Sequence, residues 1–209
     1  LVQHQSLPMK QILKLMNVYS NNVISELLAQ MAGGSQVVAQ KSSEIAGFPQ
    51  SEILLINGSG LGVENRISAR AVSAMFAAIQ RQVETQNLTV ADLFPISGTD
   101  LGTIDYRKIP MAAVVKTGTL NDVSALAGVL PTRDRGLVWF TIINRGADLD
   151  DLREQQDVLL QQLTTQWGRV SSVPLSIIPR DPVKDTALLG TPNRNVIIYK
   201  PTVEVRNAQ

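Results

Sequence analysis

The chain has 209 residues, 44% hydrophobic and 18% charged, so it can bury a core and lacks the polar bias of a disordered polymer. Nineteen basic against eighteen acidic residues leave a net charge of +1, and no global field draws it to nucleic acid or anionic lipid. Cysteine is absent, which excludes disulfides, thiol catalysis and thiolate metal sites, and no apolar run approaches a transmembrane segment. The single histidine, His4, would have to carry any Ser-His-Asp triad or histidine metal centre alone, so neither metal nor cofactor is expected. The chain opens on Leu1 with no charged-then-apolar leader, as expected of a trimmed or mature product.

The first periodic segment starts at Pro8, suited to a first helical turn, and sets Met9, Ile12, Leu13 and Met16 on one face. Tyr19-Ser20-Asn21-Asn22 breaks it, since short polar side chains compete with the backbone for hydrogen bonds. A second helix is predicted with Val23, Ile24, Leu27, Leu28 and Met31 inward, ending at Gly33-Gly34. Residues 35–46 read as a third helix. A short strand over 52–56 then runs into the glycine-rich turn Asn57-Gly58-Ser59-Gly60-Leu61-Gly62.

Ser68 is positioned to cap a helix reaching about Gln86, with Ala71, Met75, Ile79 and Val83 at helical spacing. After a looser stretch marked by Pro95, Gly98, Gly102 and Pro110, strands are predicted over 112–119, 124–130 and 137–144, with Arg133-Asp134-Arg135-Gly136 as a hairpin turn. A helix from Asp148 to about Trp167 begins with acidic residues, where the helix dipole favours them. From Val170 onward, Pro174, Pro179, Pro182, Pro192 and Pro201 argue against helix. Residues 1–169 are expected to form one domain and 170–209 an extended Pro-rich tail. Helices, then an antiparallel meander, then a closing helix make an α+β pattern.

Three clusters carry polar chemistry: Ser20-Asn21-Asn22 at a helix start, Asn57–Gly62, and Lys116-Thr117-Gly118-Thr119 at the end of an apolar strand. Singly, the first reads as a helix cap, the second as a tight turn using glycine's positive φ, and Lys116 as a solvated strand end. As an ordered set they resemble the D-alanyl-D-alanine carboxypeptidases of the serine S13 type, low-molecular-mass penicillin-binding proteins. Those have Ser-Asp-Asn, then Asp-Gly-Ser-Gly-Leu-Ser, then Lys-Thr-Gly-Ser/Thr-Leu. The likeness runs over residues 7–163. Ser-x-x-Lys, Ser-Asp-Asn and Lys-Thr-Gly together mark penicillin-binding proteins and class A β-lactamases.

The resemblance implies the C-terminal portion of a penicillin-binding, β-lactamase-like transpeptidase domain, an antiparallel sheet with flanking helices. It implies a D-Ala-D-Ala carboxypeptidase, or a D,D-endopeptidase, working on peptidoglycan stem peptides outside the inner membrane and binding β-lactams. Ser20 would relay a proton to the leaving D-Ala nitrogen, Asn22 would hydrogen-bond the substrate amide, and Lys116 would place a cation beside the nucleophile and the substrate carboxylate. The Thr117 and Thr119 hydroxyls would hold that carboxylate, Gly118 would let substrate approach the strand, and the Thr119 N–H would serve the oxyanion.

This chain departs from the pattern at Asn21 and Asn57, where the family has aspartates. The larger departure is that no serine is followed three positions later by lysine, so the nucleophile motif is absent from these residues. The chain is therefore read as beginning after the nucleophile helix. The missing elements are expected to leave an apolar sheet face open to self-association or to that missing segment. The alternative reading is a non-catalytic peptidoglycan- or peptide-binding module, or an α+β interaction domain.

Overall fold

The computed structural model describes residues 2–183 and 194–197. A short strand, β1 (Val2–His4), precedes α1 (Met9–Tyr19), for which Pro8 is the N-cap. The buried face of α1 is not the predicted one. Lys14, Leu15, Asn17 and Val18 point inward, while Met9 is half exposed. The helix packs on a turn rich in backbone acceptors: Lys14 Nζ donates to the carbonyls of Ala91 (3.1 Å) and Phe94 (2.6 Å) and to Asp100 (2.6 Å), and Asn17 donates to Leu93 O at 2.9 Å. Buried carbonyls need donors, so polar side chains take the inward face.

A second correction concerns α2 (Asn22–Met31). Val23, Leu27 and Met31 are 69%, 58% and 77% exposed, and Ala29 is its buried residue. The opposite side of α2, through Ser25, Glu26 and Ala29, receives the glycine-rich loop, which leaves the apolar stripe on the surface. Helix α3 (Ser35–Ala46) follows, closed by Gly47 in a left-handed conformation. The predicted strand at 52–56 is shorter than expected, a two-residue β2 (Ile53–Leu54) paired antiparallel with β3 (Arg66–Ile67), and the glycine loop lies between them. Ser68 caps α4 (Ala69–Glu84) by accepting the Ala71 N–H at 3.0 Å.

The meander forms as predicted. Strands β4 (Val114–Leu120), β5 (Val123–Thr132) and β6 (Gly136–Arg145) make an antiparallel sheet in the order β4-β5-β6. Alternation sends Val115, Leu126 and Leu130 to the side of α5 (Leu149–Gln166), where Leu160 meets them, and Val114 and Val129 to the side holding Val90 and Ile177, with Ile79 of α4 packed behind. Both faces of the sheet are thus covered. Helices α4 and α5 supply the covering layers, and the exposed apolar side chains include Val23, Leu27 and Met31 of α2 and, on the sheet itself, Ile143 of β6 at 43%. This α+β fold is an antiparallel sheet flanked by helices.

The segment from Val170 docks on the body before leaving the described residues. Ile177 is 1% exposed, Gln80 donates to Ser176 O at 3.0 Å, and Asp92 accepts the backbone N–H of Arg180 and Asp181. Strand β7 (Asn195–Ile197) pairs with β1, where His4 Nδ1 meets Asn195 Oδ1 at 2.9 Å. The rest of the expected tail, 184–193 and 198–209, lies outside the described residues.

Candidate active site

Strand β4 sits at the sheet edge. Its outer side is bridged at Val114 by Ile96, and the Val115 N–H donates outward to Pro95 O at 3.0 Å. In an antiparallel strand every second amide points the same way, so the N–H groups of Thr117 and Thr119 also face outward. There they meet a groove of about 560 Å³, lined by Ser20, Asn22, Lys116, Thr117, Gly118 and Thr119 together with the glycine loop.

Ser20 ends α1 in a left-handed conformation, φ 50° and ψ 51°. That region is costly for a residue with a Cβ, and such strain gathers at functional sites. Lys116 Nζ donates to Ser20 Oγ at 2.8 Å and to the Thr117 carbonyl at 2.7 Å. Burial pushes the Lys116 ammonium pKa down to about 8. The threonines lie on the other side of the strand. Thr117 Oγ1 is 2.8 Å from Thr103 Oγ1, and Thr119 Oγ1 accepts from Arg153 Nη2 at 3.2 Å.

Two neighbours hold this arrangement. Gly102, at φ +83°, lets the loop bearing Thr103 press on the end of α1: a Cβ there would lie 2.3 Å from Val18 O. The glycine loop is gripped by α2. Glu26 Oε2 accepts the N–H of Gly58 (2.8 Å) and Ser59 (2.9 Å), and Ser25 Oγ donates to Gly58 O at 2.7 Å. Hydrogen bonds from the Gln30 side chain and then the Ser59 backbone hold the Glu26 carboxyl below the usual glutamate range.

All six residues singled out from the sequence therefore share one groove. Sequence reasoning missed Glu26, Thr103, Arg107 and Arg153. Arg107 and Arg153 line the groove with Lys116, and no carboxylate does so among the described residues. Nothing local marks these residues, since each matters through a partner far away in the chain. The groove holds cations and hydroxyl donors, which suits an anionic ligand.

The sequence profile of the D-Ala-D-Ala carboxypeptidase 3 (S13) family matches residues 1–166. The chain belongs to that family. It is 27% identical over 161 residues to the carboxypeptidase DacB of Mycolicibacterium smegmatis, an alignment covering 68% of this chain and 35% of that protein. Among solved structures it is similar to the predatory endopeptidase Bd0816 of Bdellovibrio bacteriovorus in complex with an immunity protein, with TM-score 0.70, 25% identity, and 85% of this chain and 49% of that one covered. It shares the fold of penicillin binding protein 4 from Haemophilus influenzae, complexed with a β-lactam, at TM-score 0.64 and 24% identity, covering 77% of this chain and 42% of that one. The chain spans about a third of the curated relative's length (35%) and about half of the endopeptidase's (49%).

Both aspartate-to-asparagine departures from the S13 motifs have a local account. Asn21 caps α2, its Oδ1 accepting the Ile24 N–H at 3.0 Å, a task in which Asn and Asp are nearly equivalent. Asn57 Oδ1 accepts from Gly60 N (3.2 Å), Gly62 N (3.4 Å) and Asn65 Nδ2 (2.9 Å), so its amide oxygen organises the glycine loop without a charge.

Proposed function

We propose that this chain provides the carboxylate clamp and proton relay of a serine D,D-peptidase. Its substrates are peptidoglycan stem peptides, cut at D-Ala-D-Ala or at cross-links through an acyl-enzyme. Residues 1–169 are the C-terminal part of that peptidase domain. The carrying observation is the 2.8 Å contact between Lys116 Nζ and Ser20 Oγ in a groove that, among the described residues, is lined by cations and no carboxylate.

In the proposed reaction a serine from outside these 209 residues passes its hydroxyl proton to the lysine of its own Ser-x-x-Lys motif and attacks the scissile carbonyl. The C–N bond breaks as the leaving nitrogen takes up a proton, and water later hydrolyses the ester to free the serine. Ser20 Oγ accepts from Lys116, so its own proton is available to the leaving nitrogen, and Lys116 replaces it. A lysine with pKa about 8 titrates near neutrality, where proton transfer in either direction is least costly. This pairing also needs no histidine.

Asn22 hydrogen-bonds the substrate backbone, and the outward Thr119 N–H serves the oxyanion, a donor worth about 10²–10³ in rate. Thr117 and Thr119 hydroxyls receive the terminal carboxylate. At Gly118 an added Cβ would meet Ala125 at 3.4 Å, an ordinary contact, so glycine there serves ligand approach rather than internal packing. β-Lactams present a carboxylate and an acylating carbonyl in the same relation and are ligands for the same reason. Peptidoglycan as substrate sets the site of action outside the inner membrane. No helix among the described residues is long and apolar enough to cross a membrane.

Intact-mass measurement after incubation with penicillin tests this reading. The 209-residue chain alone is expected to gain no mass. Joined to a family relative's Ser-x-x-Lys segment, it is expected to gain one penicilloyl group, lost in Lys116→Ala. A stable adduct on the isolated chain, or labelling indifferent to Lys116, overturns it.

A further inference from the structure

The cations lining the groove are held differently. Arg107 is neutralised by a buried partner: its Nη2 lies 2.8 Å from Asp157 Oδ1, with side-chain exposures of 3% and 8%. Lys116 points to the opposite side of β4 from the threonine hydroxyls and is engaged with Ser20 and the Thr117 carbonyl. Arg153, projecting from α5, is the third. Its Nη1 is 2.7 Å from Asp150 Oδ1 and its Nη2 is 3.2 Å from Thr119 Oγ1.

Asp150 is 89% exposed and Arg153 21%, so water screens their pairing, and an exposed pair of this kind contributes at most about 1 kcal/mol. A guanidinium only donates. Thr119 Oγ1 must therefore accept from Arg153, which turns the hydroxyl's own proton away from the arginine and leaves it for another acceptor. Arg153 keeps further N–H groups in a planar fork that matches a carboxylate.

We infer that Arg153 is the positioning and specificity residue for the terminal carboxylate of the substrate. It orients the Thr119 hydroxyl toward that carboxylate and supplies the cation on the threonine side of the strand, while Asp150 holds the guanidinium until substrate arrives. This rests on the peptidase reading above.

The test is an NMR titration of the 209-residue chain with N-acetyl-D-Ala-D-Ala and with the same dipeptide as its C-terminal amide. Wild type should prefer the acid. Arg153→Gln should lose about 10-fold or more of the acid affinity, a charge-assisted hydrogen bond's worth, and none of the amide affinity. Arg153→Lys should recover part of the preference, keeping charge without the fork. Asp150→Asn, which leaves the arginine in place, should strengthen acid binding about 2- to 5-fold.

Equal weakening of both peptides in Arg153→Gln would reveal a merely structural residue and overturn the inference. So would an unchanged acid-to-amide ratio, or an Asp150→Asn variant no tighter than wild type, and in these cases the clamp reading survives. A wild type that shows no preference, or binds neither peptide, overturns the clamp reading and the inference with it.

Discussion

Lys116 Nζ and Ser20 Oγ meet at 2.8 Å across 96 positions of sequence, and the lysine is largely withdrawn from water. Its folded pKa of about 8 lies below the ordinary 10.5. Below pH 8 the ammonium is charged in both states and carries its full burial penalty. Between pH 8 and 10.5 the unfolded chain binds more protons, so stability rises with pH there. Lys116→Met should therefore stabilise the chain by ~1–2 kcal/mol at pH 7. The gain should shrink toward pH 10.5, where wild type buries a neutral amine. Urea denaturation at both pH values checks this; no gain at pH 7 would mean that the hydrogen bonds to Ser20 and Thr117 outweigh desolvation.

Glu26 ties the glycine loop to α2. Its lowered pKa means that the tie is present above the ordinary glutamate range and is lost as pH falls through the folded value. Glu26→Ala should speed hydrogen exchange at the Gly58 and Ser59 amides by about 10-fold, the equivalent of one charge-assisted hydrogen bond. Amides of β5 should not change. Unaltered exchange at Gly58 would show that the loop is held by other contacts.

Gly58 and Gly102 are required by packing. A Cβ would fall 2.1 Å from Ala29 Cβ at the first and 2.3 Å from Val18 O at the second. Gly58→Ala should cost about 1–3 kcal/mol by overpacking. Gly102→Ala should cost more, since its neighbour is backbone and its φ of +83° disfavours any Cβ. Thermal unfolding of both variants measures the order.

Asp157 neutralises Arg107 and also accepts the Lys108 N–H at 2.8 Å. Asp157→Ala leaves a buried guanidinium unpaired and should cost about 3–5 kcal/mol, far beyond the loss at an exposed pair such as Arg133–Asp134. Comparable losses in Asp134→Ala and Asp157→Ala would contradict the burial of this pair.

What could be read in advance was local. Ser68 caps α4 as its position suggests, because a cap hydrogen bond spans only a few residues, and α5 starts at the acidic run expected there, with Asp148 as its cap rather than its first helical residue. The meander's alternation and its turn at Arg133-Asp134-Arg135 were legible for the same reason. The inward faces of α1 and α2 were not. Counting apolar residues could not foresee that a carbonyl-rich turn would draw Lys14 and Asn17 inward, or that the glycine loop would occupy the far side of α2 and leave Val23, Leu27 and Met31 outside.

The sequence by itself determined the order of the five helices and the three-strand meander, the Ser68 cap, and six of the residues that line the groove, Ser20, Asn22, Lys116, Thr117, Gly118 and Thr119, since periodicity and motif spacing act along the chain. Tertiary structure alone decided that Lys116 is buried against Ser20 and that Thr117 meets Thr103 on the other side of the strand. It also decided that Arg153 reaches Thr119 from a helix 34 positions later. Burial and side-chain pairing depend on which segments cross in space, and only the packed sheet, with α5 on one face and α4 on the other, sets those crossings.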